Sequence, residues 1–182
     1  MRVIGVVGLP ASGKGEFSRI ARETGIPVVV MGDVIRRKAM EEGIPEDDTS
    51  LGGIGNRLRA EHGMDAIARF TIPAVEATAA PLVVIDGIRG EAEVQAFRTR
   101  FSDFLLVGIV ASFEARLARL ASRGRADDSA QRENLKIRDA RERGWGLSRA
   151  LRQATFVIKN DGNMAEFEEK VRALLSRREA CP

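Results

Sequence analysis

Val3-Ile4-Gly5-Val6-Val7-Gly8-Leu9-Pro10-Ala11-Ser12-Gly13-Lys14-Gly15 begins as an apolar run and ends on the pattern G-x-x-x-x-G-K. A strand running into this loop, with a helix directly after it, is the context in which the pattern binds phosphate. Gly8 and Gly13 let the backbone curl until successive N–H groups converge on one oxyanion. The helix that starts near Lys14 adds the positive end of its dipole, and Lys14 adds a full charge for the β- and γ-phosphates. Gly8, Pro10, Ala11, Ser12, Gly13, Lys14, Gly15 and Glu16 are therefore the candidate triphosphate ligands. ATP with Mg²⁺ is the expected cofactor pair. One position departs from the pattern: Gly15 stands where a Ser or Thr hydroxyl would ligate Mg²⁺. The metal would then be held through water, with Asp33 or Asp86 behind it.

Outward from the loop, short β-branched runs alternate with stretches of helical period. Val3–Val7, Val28–Val30, Leu82–Ile85, Leu105–Val110 and Phe156–Ile158 are continuous apolar runs without alternation, as strands buried on both faces of a parallel sheet require. Lys14–Arg22, Phe113–Ser122 and Met164–Ser176 carry their apolar residues at helical spacing. The alternation predicts a three-layer α/β fold of the P-loop NTPase kind, with a five-stranded parallel sheet and right-handed crossovers. About three helical segments lie between Val30 and Leu82, where one crossover helix suffices. That predicts a helical insertion over about 33–78, with acidic Glu41–Asp48 and glycine-rich Leu51–Gly55 as its mobile part. Gly53-Ile54-Gly55 reads as a loop. Arg123–Arg143 is almost wholly polar, and the reading is a solvated helix held by Arg138–Glu142 and Asp139–Arg143 pairs at i,i+4. A lid-like segment over about 123–146 would attach to one domain spanning 1–182.

Composition narrows the class. The 182 residues are 44% hydrophobic and 30% charged, which suits an ordinary globular domain. A formal charge of +3 argues against nucleic acid as the partner. No stretch reaches the roughly 20 apolar residues of a membrane span, and the Val3–Val7 run is too short for a secretory core. Cys181 is the one cysteine, so no internal disulfide forms. The expectation is a cytoplasmic protein, monomeric or a small homo-oligomer, acting on a small-molecule phosphate acceptor. His62, the one histidine, reads as a surface or helix-end residue, and Trp145 as either a base-stacking residue or a buried anchor.

Further along, Arg116, Arg119 and Arg123 fall on one helical stripe beside the Leu117/Leu120 face, so the stripe can point at a cleft. Arginines suit phosphoryl transfer because they neutralise charge on the equatorial oxygens. Arg125 and Arg138 are further candidates. Asp33 has a competing reading as the N-cap of a helix starting at Val34, and Asp86 as the first residue of an Asp-Gly turn.

Several segments carry a family resemblance. Gly13-Lys14-Gly15 resembles the P-loop of adenylate kinases, as does Met31-Gly32-Asp33-Val34-Ile35-Arg36 their Gly-Asp-x-Leu-Arg segment. Val84-Ile85-Asp86-Gly87-Ile88-Arg89 is similar to their Leu-Asp-Gly-Phe-Pro-Arg, one residue shorter before the arginine. Arg116–Arg123 and Val157-Ile158-Lys159-Asn160-Asp161-Gly162 resemble dephospho-CoA kinase instead. The whole chain looks most like an archaeal group of adenylate-kinase-related proteins. The resemblance implies a kinase that passes the γ-phosphoryl of ATP to a nucleotide-like acceptor. It implies that Arg36 and Arg89 hold the acceptor's phosphate and that Asp33 organises metal-bound water or acts as base. Asp86 would take the Walker-B position, Asn160 would border the adenine, and Arg119 and Arg123 would close as a lid. Met31, where adenylate kinases have a hydroxyl residue, and a short lid argue against AMP as the acceptor. Dephospho-CoA-like acceptors are the alternative, and a regulatory NTPase acting on a macromolecule is the alternative of another class.

Overall fold

The computed structural model describes residues 1–122 and 128–176, with backbone alone for 128–131. Arg123, Arg125 and Cys181 lie outside the described residues. Five parallel strands form one sheet in the order β2-β3-β1-β4-β5. They are β1 (Arg2–Val7), β2 (Val28–Val30), β3 (Leu82–Ile88), β4 (Asp103–Val110) and β5 (Phe156–Lys159). The central strand β1 pairs with β3 on one side and β4 on the other, with Val3 opposite Val83 and Phe104. Val3, Val6 and Val7 are wholly buried, and each such side chain contributes about 1.5–3 kcal/mol.

Helices cover both faces. On one, α1 (Lys14–Glu23) and α9 (Met164–Ser176) bring Phe17, Ile20, Phe167 and Val171 against Ile4, Val6 and Val107. The other face is built by α4 (Ala66–Ala77), α5 (Glu91–Arg100) and α8 (Leu147–Arg152), through Ile67, Val75, Val94, Phe97 and Leu147. Two more helices, α2 (Gly32–Glu42) and α3 (Asp48–His62), complete the stretch before β3. The α6 helix (Phe113–Ala121) follows β4, and α7 (Asp128–Gly144) follows α6.

Four local readings change. First, Leu51–Gly55 is helical and sits inside α3 rather than in a loop. A Cβ on Gly52 would come 2.5 Å from the Arg141 guanidinium, so the residue marks a close approach and not a turn. Second, β3 runs past Ile85 to Ile88. Asp86 pairs with Val6 and Val30 inside the sheet, and the register slips between Val6 and Val7, next to Gly87 at φ 97°. Third, α2 starts at Gly32, which places Asp33 in its first turn, and no side chain caps this end.

The fourth change is the largest. The α7 helix is docked on the protein, with Leu135 fully buried and Asp139 and Glu142 6% and 1% exposed. Lys136 pairs with Glu133 along the helix at 3.4 Å, but Arg138, Asp139 and Glu142 of the expected i,i+4 pairs find partners elsewhere. Asp139 pairs with Arg116, Glu142 with Arg89, and Arg138 and Arg141 with Asp48. A polar helix docks here because its partners sit on other elements.

Candidate functional site

The loop between β1 and α1 takes its shape from two backbone features. Gly13 has φ 116°, in the left-handed region open to glycine, and a Cβ there would lie 2.3 Å from the Asn160 amide. Ala11 also has positive φ, at 60°, a conformation that costs a non-glycine residue free energy and recurs at ligand-binding turns.

Side chains from two distant segments hold the loop's carbonyls. Asn160, 3% exposed, donates from Nδ2 to Ser12 O at 2.8 Å. Arg119 donates to Ala11 O and Ser12 O at 3.3 Å, and to the carbonyl of Asn160. Arg116, 2% exposed, donates to Pro10 O at 3.1 Å while forming a two-pronged pair with Asp139 at 2.8 and 2.7 Å. These donors hold the loop carbonyls from Pro10 to Ser12, while the Ser12 N–H donates to Leu9 O at 3.2 Å within the loop.

Lys14 donates to the carbonyls of Gly8 and Leu9. Burial pushes its pKa down to about 8, partly opposed by the negative charge of Glu142 and reinforced by the positive charge of Arg89. Across the same cleft, of about 320 Å³, stand Gly15, Arg36, Asp86, Arg89, Arg138 and Glu142. Asp86 accepts a hydrogen bond from Ser18 Oγ at 2.8 Å. The cleft continues into a smaller hollow of about 110 Å³, where Arg36, Arg89, Arg138 and Arg141 meet Asp48, Leu51 and Trp145. Four guanidinium groups thus line one end and the P-loop the other, the guanidiniums paired with Asp33, Glu142 and Asp48.

A family model described as an AAA domain matches residues 7–136, from the last residue of β1 into α7. A UPF0200 protein of Methanoculleus marisnigri is 58% identical over 177 residues, covering 97% of both chains. Another, of Methanoregula boonei, is 56% identical over 182 residues and the full length of both. This chain belongs to the UPF0200 family. Its fold is that of P-loop kinases. The TT1252 protein of Thermus thermophilus superposes with a TM-score of 0.66 at 20% identity, covering 98% of both chains. A shikimate kinase of Bacteroides thetaiotaomicron gives 0.57 at 16%, covering 98% of this chain and 99% of its own. A gluconokinase of Sinorhizobium meliloti gives 0.55 at 21%, covering 97% and 92%. At these identities the likeness speaks for the fold.

Of the candidates read from the sequence, Pro10, Ala11, Gly13, Lys14, Gly15, Arg36, Asp86, Arg89 and Arg138 line the P-loop cleft. Asp33 does not; it is 60% exposed and paired with Arg36 at 2.7 Å on the same helix turn. Glu16 is paired with Arg19 at 2.8 Å. Arg119 and Asn160 brace the loop from behind. Sequence reasoning missed Arg141 and Glu142. It also missed the buried Arg59–Glu93 pair at 2.6 Å, whose carboxylate accepts the backbone N–H of Arg89 at 2.7 Å. Trp145 is a buried anchor, its ring under Arg59 at 4.2 Å and its N–H bonded to Asn56 at 2.7 Å. Only the i,i+3 spacing of Asp139 and Glu142 could have signalled an inward acidic face on α7.

A larger cavity of about 600 Å³ opens between α2, α3 and α4, lined by residues such as Arg37, Arg57 and Phe70. It shares no residue with the P-loop cleft, and the phosphate-binding chemistry lies in the latter. Among the described residues no cluster of three or more His, Cys, Asp or Glu could hold a metal by itself. The residues present fit a metal held by a triphosphate and water, with Asp86 beside Lys14 and Gly15 on the cleft wall. Among the described residues no helix is long and apolar enough to cross a membrane.

Proposed function

We propose that the chain is an ATP- and Mg²⁺-dependent small-molecule kinase with an anionic, nucleotide-like acceptor. The observation that carries this reading is the convergence of Lys14, Arg36, Arg89 and Arg138 on one cleft, with a P-loop at one end and an arginine-lined hollow at the other. The triphosphate would lie on the loop N–H groups and Lys14, which would exchange its bonds to Gly8 and Leu9 for the β- and γ-phosphates. Asp86 would hold Mg²⁺ through water, and the ion would supply charge neutralisation to the triphosphate. Arg36, Arg89, Arg138 and Arg141 would grip the acceptor's anion. Residues 33–78 would supply the acceptor side and 123–146 the lid side. Catalysis would consist of placing the two reactants in line and stabilising charge on the transferring group.

The test is steady ADP production from ATP–Mg²⁺ by the purified chain. Nucleoside monophosphates, nucleosides, dephospho-CoA and pantetheine derivatives would be offered in turn. Acceptor-dependent turnover is expected. Lys14→Ala should abolish triphosphate binding while far-UV circular dichroism stays unchanged; unaltered affinity in that variant would sink the reading. ATP binding with slow hydrolysis and no acceptor effect would point to a nucleotide switch acting on a macromolecule.

A further inference from the structure

Glu142 stands on the wall of the P-loop cleft with its side chain 1% exposed, yet only half of its carboxylate is engaged. Oε1 accepts from Arg89 at 2.8 Å. Oε2 is buried and has no hydrogen-bond partner among the described residues. An ionised carboxylate only accepts, and an unmet buried acceptor carries its full desolvation cost. The equally buried carboxylate of Glu93 leaves no oxygen unmet: it uses one for Arg59 and the other for the N–H groups of Arg89 and Gly90. Glu142 keeps an oxygen in reserve.

What could meet that oxygen is decided by chemistry. Lys14 and Arg138 share the cleft. Neither bonds Oε2: two of the three Lys14 N–H groups go to the Gly8 and Leu9 carbonyls, and Arg138 pairs with Asp48 at 2.9 Å. An acceptor phosphate oxygen has no hydrogen to offer and carries the same charge as the carboxylate. A hydroxyl does have one. The carboxylate is also held in place, because Asp139 lies three residues earlier on α7 and is clamped by Arg116 to the P-loop carbonyl of Pro10. Asp33, the base implied by family resemblance, is exposed on the rim, and Asp86 is engaged by Ser18.

Building on the kinase reading, we propose that Glu142 accepts the proton of an acceptor hydroxyl. The acceptor is then an anionic alcohol, and the product a phosphate ester rather than a diphosphate. In this step the acceptor oxygen bonds to the γ-phosphorus as its O–H proton passes to Glu142 Oε2. The bond from the γ-phosphorus to the β–γ bridging oxygen breaks, and its electron pair leaves with ADP. Glu142 returns the proton to solvent after product release. Arg89 holds Oε1, so the carboxylate keeps its aim while Oε2 works.

The experiment uses the full chain with ATP–Mg²⁺ and two sets of acceptors. One set offers phosphate oxygens (nucleoside monophosphates). The other offers hydroxyls beside an anionic group (dephospho-CoA, hydroxy acids, sugar phosphates). Products are identified by ³¹P NMR, which separates esters from anhydrides. Ester formation is expected. Glu142→Gln should lower kcat about 100-fold or more, while KM for ATP moves less than about twofold. The Mg²⁺ concentration dependence should be unchanged, and Glu142→Asp, which keeps the charge, should recover part of kcat. Melting temperatures identify a variant that fails to fold, and the Asp variant then decides. Anhydride products alone would overturn this inference and leave the kinase reading standing. A Glu142→Gln enzyme with full kcat, or one restored by excess Mg²⁺, would also overturn it. No turnover with any acceptor would sink both.

Discussion

At the scale of single residues, Lys14 shows how a binding site prepares for charge. Its ammonium donates to two carbonyls of its own loop, and burial lowers its pKa from 10.5 to about 8. The sign follows from linkage. Between about 8 and 10.5 the unfolded chain holds more protons at this position, so this group makes stability rise with pH in that window, with no pH dependence below it. Bound phosphates would favour the charged form and reverse the shift. ATP binding near pH 9 should therefore take up protons. Calorimetry in buffers of different ionisation enthalpy measures that uptake directly. Lys14→Arg should remove it, since a guanidinium stays charged throughout. Binding without uptake in the unaltered protein would mean that Lys14 is not held in a desolvated site.

At the scale of elements, α7 is where charge does the packing. The Arg116–Asp139 pair is 2% and 8% exposed by side chain and ties α6, α7 and the P-loop together. Removing one partner strands the other as a buried charge, so Asp139→Ala should cost about 3–5 kcal/mol in urea unfolding. Replacing both partners, Arg116→Met with Asp139→Leu, should cost less than that single change, because no charge is stranded. Equal losses would mean that the pair acts chiefly through its bond to Pro10. The exposed Arg138–Asp48 and Arg141–Asp48 contacts differ in kind, and such pairs each contribute about 0–1 kcal/mol.

At the scale of the molecule, Trp145 joins parts that the sheet alone does not hold together. Its ring lies 4.2, 5.6 and 5.8 Å from the guanidinium carbons of Arg59, Arg141 and Arg89, which come from α3, α7 and the end of β3. A Cβ on Gly90 would strike its carbonyl at 2.6 Å, which shows how closely the α5 start packs on it. Trp145→Ala should destabilise the fold by about 3–5 kcal/mol, measured by chemical denaturation with circular dichroism. Trp145 is also the one tryptophan, so its emission should shift when an acceptor's anion binds beside Arg89 and Arg141. A stable Trp145→Ala protein would show that α3 and α7 dock independently of the ring.

The sheet and the loop were legible because both depend on neighbours in sequence. Continuous β-branched runs bury a strand on both faces wherever it pairs, and Gly8, Gly13 and Lys14 bind phosphate through spacing alone. Asp86 was legible as a cleft residue but not as part of the sheet, because β3 continues through a polar Asp-Gly step only where β1 and β2 supply the ladder. Gly52 and Gly55 read as loop residues because the reason for their small size, Arg141 and Arg59 pressing on α3, is distant in the chain or one turn on. The fate of α7 was hidden for the same cause. Whether Asp139 and Glu142 face water or a buried arginine depends on Arg116 and Arg89, 23 and 53 residues away. Local spacing by itself determined the P-loop, the strand set and the α/β class. Tertiary structure alone decided which charges are buried, since that requires knowing what stands opposite each of them.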